Sequence, residues 1–458
     1  MLACVLALVS TPTEAVGAQK TAKEAPEPVD NREDSLQSLL AEQPDNSSLW
    51  TALGKVAVEQ DQYDLARGYF DEAIKLSNKN AETILDIGGY WLAKGLVKYS
   101  LVYLMPNLGF LTDSRLTAFE DALEKAKLNS VLLTVLRHHN SRKPPYYPVV
   151  KKAAQLAYLQ GDFDLCRQIL LNRYEELDYE SGRNLLLVNI HLNDTLPIKV
   201  IDVIEKKFPQ PEVAMLAQIN YAQAGKWKEV ESFLDRESKS ASYRDLYIYL
   251  TGRLENSRDK IDAAGLSFER AADTTRWEEM KSLIQAELYH LYSTTGNKYK
   301  ADRLWETLKE TAVTPLRQEY LARHLEVRGY EKQSRYFWRS LLRKSPGHLQ
   351  AIKSLWEELN EDDNIEWLQE NVKAVLADDP YSCEGNALAM NFHARHGNDR
   401  ELVPYGRNVA LYCHDPVEAY FTLGTALANL SKADEARAFF AKYLKRGGDV
   451  NRVPTSYR

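Results

Sequence analysis

Glycine and proline are scarce in this chain of 458 residues, at 21 and 17. That argues against a sandwich or barrel of many short strands, and equally against a disordered chain. An excess of basic charge is missing too: 58 Lys and Arg stand against 65 Asp and Glu, for a net charge of −7. A nucleic-acid surface needs a basic stripe to displace counterions, so nucleic acid is not an expected partner. No run is long and apolar enough to span a bilayer. The most apolar stretch after the N-terminus, residues 95–111, is interrupted by Lys98 and Pro106 and falls short of about 20 residues. A phosphate-cradling Gly-rich loop, a Gly-Lys-Ser/Thr sequence, a zinc-protease HExxH and a GxSxG elbow are all absent, so no catalytic residue and no cofactor are expected. The nearest metal-like spacing, His393 and His396, has no third ligand close in sequence except His414, and ordinary packing is expected instead of a metal.

What is present is the composition of a folded chain, 44% hydrophobic and 27% charged. Residues 2–9 form an apolar run of signal-peptide length, and Val16-Gly17-Ala18 supplies small residues for cleavage before Gln19, although no basic segment precedes the run. Residues 1–18 are therefore expected to be a signal peptide and 19–33 a polar, Pro-containing tether. The alternative is an uncleaved apolar tail on a cytosolic protein.

From residue 47 the pattern changes. Trp50, Leu53, Gly54, Ala66, Phe70 and Ala73 are spaced for two antiparallel helices, turned by "EQDQYD". Small residues at Gly54 and Ala66 let the helices approach, and Trp50 and Phe70 fill the gaps. The pattern returns at Gly161 with Cys166, at Gly225, at Gly252 with Ala264, Phe268 and Ala271, at Gly296 with Ala301, and at Gly329 with Trp338. It closes with Tyr420, Leu423, Gly424, Ala436 and Phe440. From Arg323 the register advances in steps of 34 residues through Glu357 and Asn391 to Thr425. This resembles the tetratricopeptide repeat, whose period is 34 residues. One repeat cannot bury its own face, so the resemblance implies an all-α solenoid of about ten to twelve stacked antiparallel hairpins. Degenerate hairpins are expected near 113–146 and 181–210. Residues 137–148, "RHHNSRKPPYYP", read as a solvated joint between an N-terminal block (34–136) and a C-terminal block (149–448), with a tail at 449–458.

Repeats of this family bind extended segments along a concave groove lined by the first helix of each unit. Carried onto this chain, those positions place Arg253, His290 and Arg323 in adjacent repeats, with Tyr249 one turn from Arg253. A cationic, aromatic-edged strip would take the carboxylates of an acidic peptide or acidic glycan. The competing reading pairs each Arg with a neighbouring acid such as Glu319 or Glu326. Cys383 opens the first helix of one hairpin and Cys413 follows the end of its second, so the two either form a disulfide or remain reduced thiols; Cys166 fits a buried slot. The apolar hairpin around Tyr90, Trp91 and residues 99–111 is either dense core or a docking surface. The tail offers no capping helix, which leaves the last hairpin open to a partner or to a second copy in a homodimer. A signal followed by many such repeats resembles bacterial periplasmic scaffolds that assist envelope or surface assembly. Partners would then be other proteins or peptide segments, or an acidic glycan if the groove is a glycan module.

Overall fold

The computed structural model describes residues 32–141, 147–237 and 243–458, so the expected signal and nearly all of the tether lie outside it. It comprises two compact units, Met1–Ile87 and Gly88–Arg458. In the first, α1 (Arg32–Glu42) packs along α2 (Ser47–Glu59), and α2 pairs with α3 (Tyr63–Leu76). Leu53, Val56 and Ala57 of α2 and Ala66, Phe70 and Ala73 of α3 are buried between them. Gly54 sets the distance: a Cβ there would lie 2.4 Å from the Phe70 ring, so only the absent side chain lets the ring seat. The unit boundary falls inside α4 (Ala81–Ala93).

The second unit continues as paired helices. They are α5 (Val97–Leu104), α6 (Asp113–Lys125), α7 (Asn129–Asn140), α8 (Tyr147–Leu159), α9 (Phe163–Leu171), α10 (Tyr179–Leu192), α11 (Ile198–Lys207), α12 (Pro211–Gln223) and α13 (Trp227–Glu237). There follow α14 (Arg244–Ser257), α15 (Ile261–Thr274), α16 (Glu278–Thr294), α17 (Lys298–Thr311), α18 (Pro315–Val327) and α19 (Glu331–Lys344). The last are α20 (Leu349–Ser354), α21 (Trp356–Leu359), α22 (Ile365–Asp378), α23 (Cys383–Arg395), α24 (Asp399–Tyr412), α25 (Val417–Asn429) and α26 (Ala433–Lys445). Among the described residues every regular element is helical, and the fold is an all-α solenoid.

The close approach of the first hairpin recurs. A Cβ at Gly252 would lie 2.8 Å from the Phe268 ring, and one at Gly424 3.0 Å from the Phe440 ring. Hydrogen bonds also keep the period: Tyr147 to Ser181, Asn220 to the Leu186 carbonyl, Arg253 to Glu287 and Arg452 to Glu418 all join residues 34 apart. The degenerate hairpins form as α6–α7 and α10–α11. Pro106 ends α5 early, and Met105–Phe110 continue as a 3-10 helix. Within this unit the solenoid also meets itself, because α10 packs against α18 and the 3-10 segment against α24.

Two further expectations meet the structure here. Residues 137–140 close α7 and 147–148 open α8, while 142–146 of the expected joint lie outside the described residues. The last hairpin is not left open. Val453 is fully buried, the Tyr457 ring lies 5.3 Å from that of Phe440, and the Arg452 guanidinium sits 4.1 Å over Phe421. The tail turns back through two 3-10 turns, held by Arg458 Nε donating to the Val453 carbonyl at 2.8 Å. A short irregular segment thus does the work of a capping helix, and an uncapped face no longer argues for a homodimer.

Candidate functional site

The proposed ligand strip starts on α14. Gly252 receives Phe268 of α15, and Tyr249, three residues earlier, shares that face and is fully buried. Its hydroxyl accepts from Arg253 Nη1 at 3.1 Å, and the same nitrogen donates to Glu287 Oε1 at 2.9 Å. Arg328 Nη2 donates to that oxygen at 2.6 Å. Burial pushes the Glu287 carboxyl up, but Arg328 and Arg253 outweigh it and hold it at about 2. One carboxylate, a single repeat beyond Arg253, therefore takes up two guanidinium groups. His290 Nδ1 lies 3.0 Å from the Tyr330 hydroxyl, and burial lowers its pKa, so the ring is neutral at pH 7.

Arg323 is occupied separately. It donates to Glu319 Oε1 from Nη2 at 2.7 Å and from Nε at 3.1 Å, and its guanidinium lies 4.9 Å over Phe163. Burial raises the Glu319 carboxyl, yet His348 and Arg323 together hold it at about 2. The structure thus joins Tyr249 to Arg253 but corrects the cationic strip. Tyr249 is core, both arginines are paired, and His290 is uncharged. Glu287, Arg328 and His348 were missed by reading the sequence, although the offset of 34 residues from Arg253 points to Glu287.

The remaining candidates resolve individually. Cys383 and Cys413 are joined by a disulfide across the mouth of the α23–α24 hairpin, with Cα atoms 5.2 Å apart. Cys166 is buried, and burial pushes its thiol up to about 12. Trp91 is fully buried and stacks 4.8 Å from Tyr99, with Leu101, Leu104 and Met105 buried beside them. That hairpin is mostly core, although Phe110 remains 66% exposed. His393 stacks on Tyr405 and His396 packs on Phe392. Among the described residues no three His, Cys, Asp or Glu side chains gather as a metal set, and no helix is long and apolar enough to cross a membrane.

In the second unit a cleft of about 880 Å³ brings polar groups together. It is bounded by the α6–α7 turn, the α8–α9 turn and the segment leading into α23. Lys98, Arg137, Asp162, Asp378, Tyr381 and His414 carry its chemistry. Burial lowers the Arg137 pKa, opposed by Asp162; burial and then Arg137 lower that of His414, leaving it neutral at pH 7. Asp162 and Asp379 are engaged as caps, accepting from the Leu165 and Tyr381 amides at 3.1 and 3.0 Å. Glu384 accepts from Lys353 at 2.6 Å. Both signs of charge line the cleft, which suits hydrogen bonding to a polar chain. Sequence reasoning missed it because turns far apart in the chain assemble it and no period marks them.

The model of the tetratricopeptide repeat family matches residues 47–80 and 417–446. No curated protein sequence matches the chain. Among solved structures, the chain is similar to the APC/C hetero-tetramer Cut9–Hcn1 at 11% identity, over 92% of this chain and 97% of that one, with a TM-score of 0.28. Yeast Tom70 matches at 12% identity over 87% and 99%, TM-score 0.34, and Naa15/Naa10 bound to HypK-THB at 13% over 91% and 72%, TM-score 0.33. The α2–α3 and α25–α26 hairpins occupy the matched residues, and α14–α15 between them repeats their glycine-to-phenylalanine contact. Residues 47–80 and 417–446 are tetratricopeptide repeats.

Proposed function

We propose that this protein is a non-catalytic scaffold that holds a polypeptide segment of another protein, taken up in the cleft bounded by Arg137, Asp162, Tyr381 and His414. The observation that carries the scaffold reading is the repeat itself, matched at both 47–80 and 417–446. The mixed charge of the cleft lining supports a peptide, whose backbone offers donors and acceptors together. The acidic-glycan alternative loses its motive once Arg253 and Arg323 are paired. The apolar run at 2–9 and the small residues before Gln19 support export to a bacterial periplasm, where the scaffold would assist assembly of an envelope structure.

The test compares capture from the source cell's envelope by the wild type and by an Arg137→Glu, Tyr381→Ala variant of equal helicity. A protein held by the wild type and lost from the variant supports the cleft. An identical captured set sinks it. Mass spectrometry of the mature N-terminus settles export: a start at Gln19 supports it, and an intact Met1 refutes it.

A further inference from the structure

The contact between α10 and α18 is built on two buried imidazoles. His191 of α10 lies 5.0 Å from the Tyr320 ring, 5.1 Å from Phe163 and 5.7 Å from His324 of α18, all nearly parallel. His324 is fully buried and His191 nearly so. Among the described residues, none of their four ring nitrogens has a hydrogen-bond partner. Such a contact is tolerable for neutral rings packed as apolar discs. It is poor for an imidazolium, whose buried charge needs an acceptor.

The groups facing the pair sharpen this. Glu279 of α16 lies on the His191 side, 3.8 Å from Nε2, and accepts from the Tyr320 hydroxyl at 2.6 Å. Tyr158 of α8 and Arg183 of α10 face the same carboxylate. On the His324 side stand Arg323 of α18 and Arg328 at the end of that helix. Glu319 of α18 is engaged by Arg323 and by His348, which begins α20. A proton on His324 would therefore enter a site beside two guanidinium groups, on a ring whose nitrogens have no acceptor among the described residues.

We propose that this contact is a pH-dependent latch: it stays closed while His324 is neutral and releases when His324 is protonated, parting α10 from α18 and baring the faces of Tyr320 and Phe163. The sign follows from burial, which together with His191, Arg328 and Arg323 holds the closed-state pKa well below the ordinary 6.5, whereas a released ring returns toward it. The closed form is fully favoured above about 6.5, and below it the closed-to-open ratio falls by up to about tenfold per pH unit. Arg323 also donates to the Gly161 carbonyl at 3.5 Å, a contact that does not titrate in this range.

Amide hydrogen exchange in α10 and α18, corrected for the intrinsic pH dependence, tests the latch in the full chain at pH 7.5 and 5.5. The wild type is expected to exchange about tenfold faster there at pH 5.5, reversibly and with helicity retained. A His324→Phe variant, which keeps the ring and removes the proton site, is expected to lose that acceleration. Unchanged wild-type exchange overturns the latch, as does equal acceleration in the variant or a rise in every helix with loss of helicity. Should the variant not fold, the wild-type profile decides alone: a slope approaching one decade per pH unit below 6.5 supports a one-proton latch, and a flat profile refutes it.

Discussion

The α2–α3 hairpin and the stretch from α14 to α18 use the same packing device for different ends. Both seat a phenylalanine against a glycine sixteen residues earlier, with alanines at Ala66 and Ala73 in one and Ala264 and Ala271 in the other. The first hairpin buries no charged or polar side chain. The second region buries Ser282, Gln285, Arg317, Gln318 and His324, and nearly buries the Glu287 carboxylate between Arg253 and Arg328. The repeat specifies how two helices close on each other and leaves the outward face of the pair free to vary. Where that face stays wet, the pattern remains recognisable. Where it meets other helices of the solenoid, polar clusters particular to one place replace the periodic residues.

The two regions should differ most at Glu287. Glu287→Ala leaves two guanidinium groups without their carboxylate and is expected to cost about 3–5 kcal/mol. Hydrogen exchange should rise in α14–α18 and stay unchanged in α2–α3; an equal response in both would erase the distinction. Replacing Glu287, Arg253 and Arg328 together by methionine should recover most of the loss, because the charges then disappear as a set.

Next is the disulfide, which closes a loop with a sequence separation of 30. Cys413→Ser is expected to lower stability by about 3–4 kcal/mol, read as a lower denaturation midpoint that matches the reduced wild type. Acid offers a comparable lever. Glu287 sits near 2 against an ordinary 4.5, so its contribution is complete above about 4.5 and is lost as pH falls toward 2. The loss amounts to about 3 kcal/mol, and α2–α3 should show no counterpart to it. The smallest effect probes what the two regions share. Gly54→Ala, whose Cβ would meet a buried ring at 2.4 Å, should cost about 1–3 kcal/mol. Gly424→Ala, with 3.0 Å available, should cost less by the same thermal melt.

Much of the fold was legible because packing slots are periodic. Leu53, Gly54, Phe70, Gly252 and Phe268 declare the hairpins without any knowledge of their neighbours. The site was not legible in the same way. Tyr249 sits on the face of Gly252 and follows it into the core, yet a fixed register assigns it to the groove. Arg253 and Arg323 look like free cations until Glu287, Arg328, Glu319 and His348 are placed beside them. The α10–α18 contact joins residues far apart in the chain, and no local period can announce it. The tail at Val450–Tyr457 hides its capping role in the same way, because Val453 and Tyr457 acquire meaning only against Phe440.

A helical array of this kind behaves as a spring when its ends are pulled. Each hairpin that gives way adds its extended chain to the length between the points of attachment. The covalent link from Cys383 to Cys413 withdraws one hairpin from that reserve, since tension passes through the sulfur atoms instead of along the chain between them, a sequence separation of 30. At about 3.4 Å per extended residue, roughly 100 Å of slack stays locked under any load that spares the bond. Near its C-terminal end, then, the molecule carries a section that can tilt with its neighbours but cannot pay out.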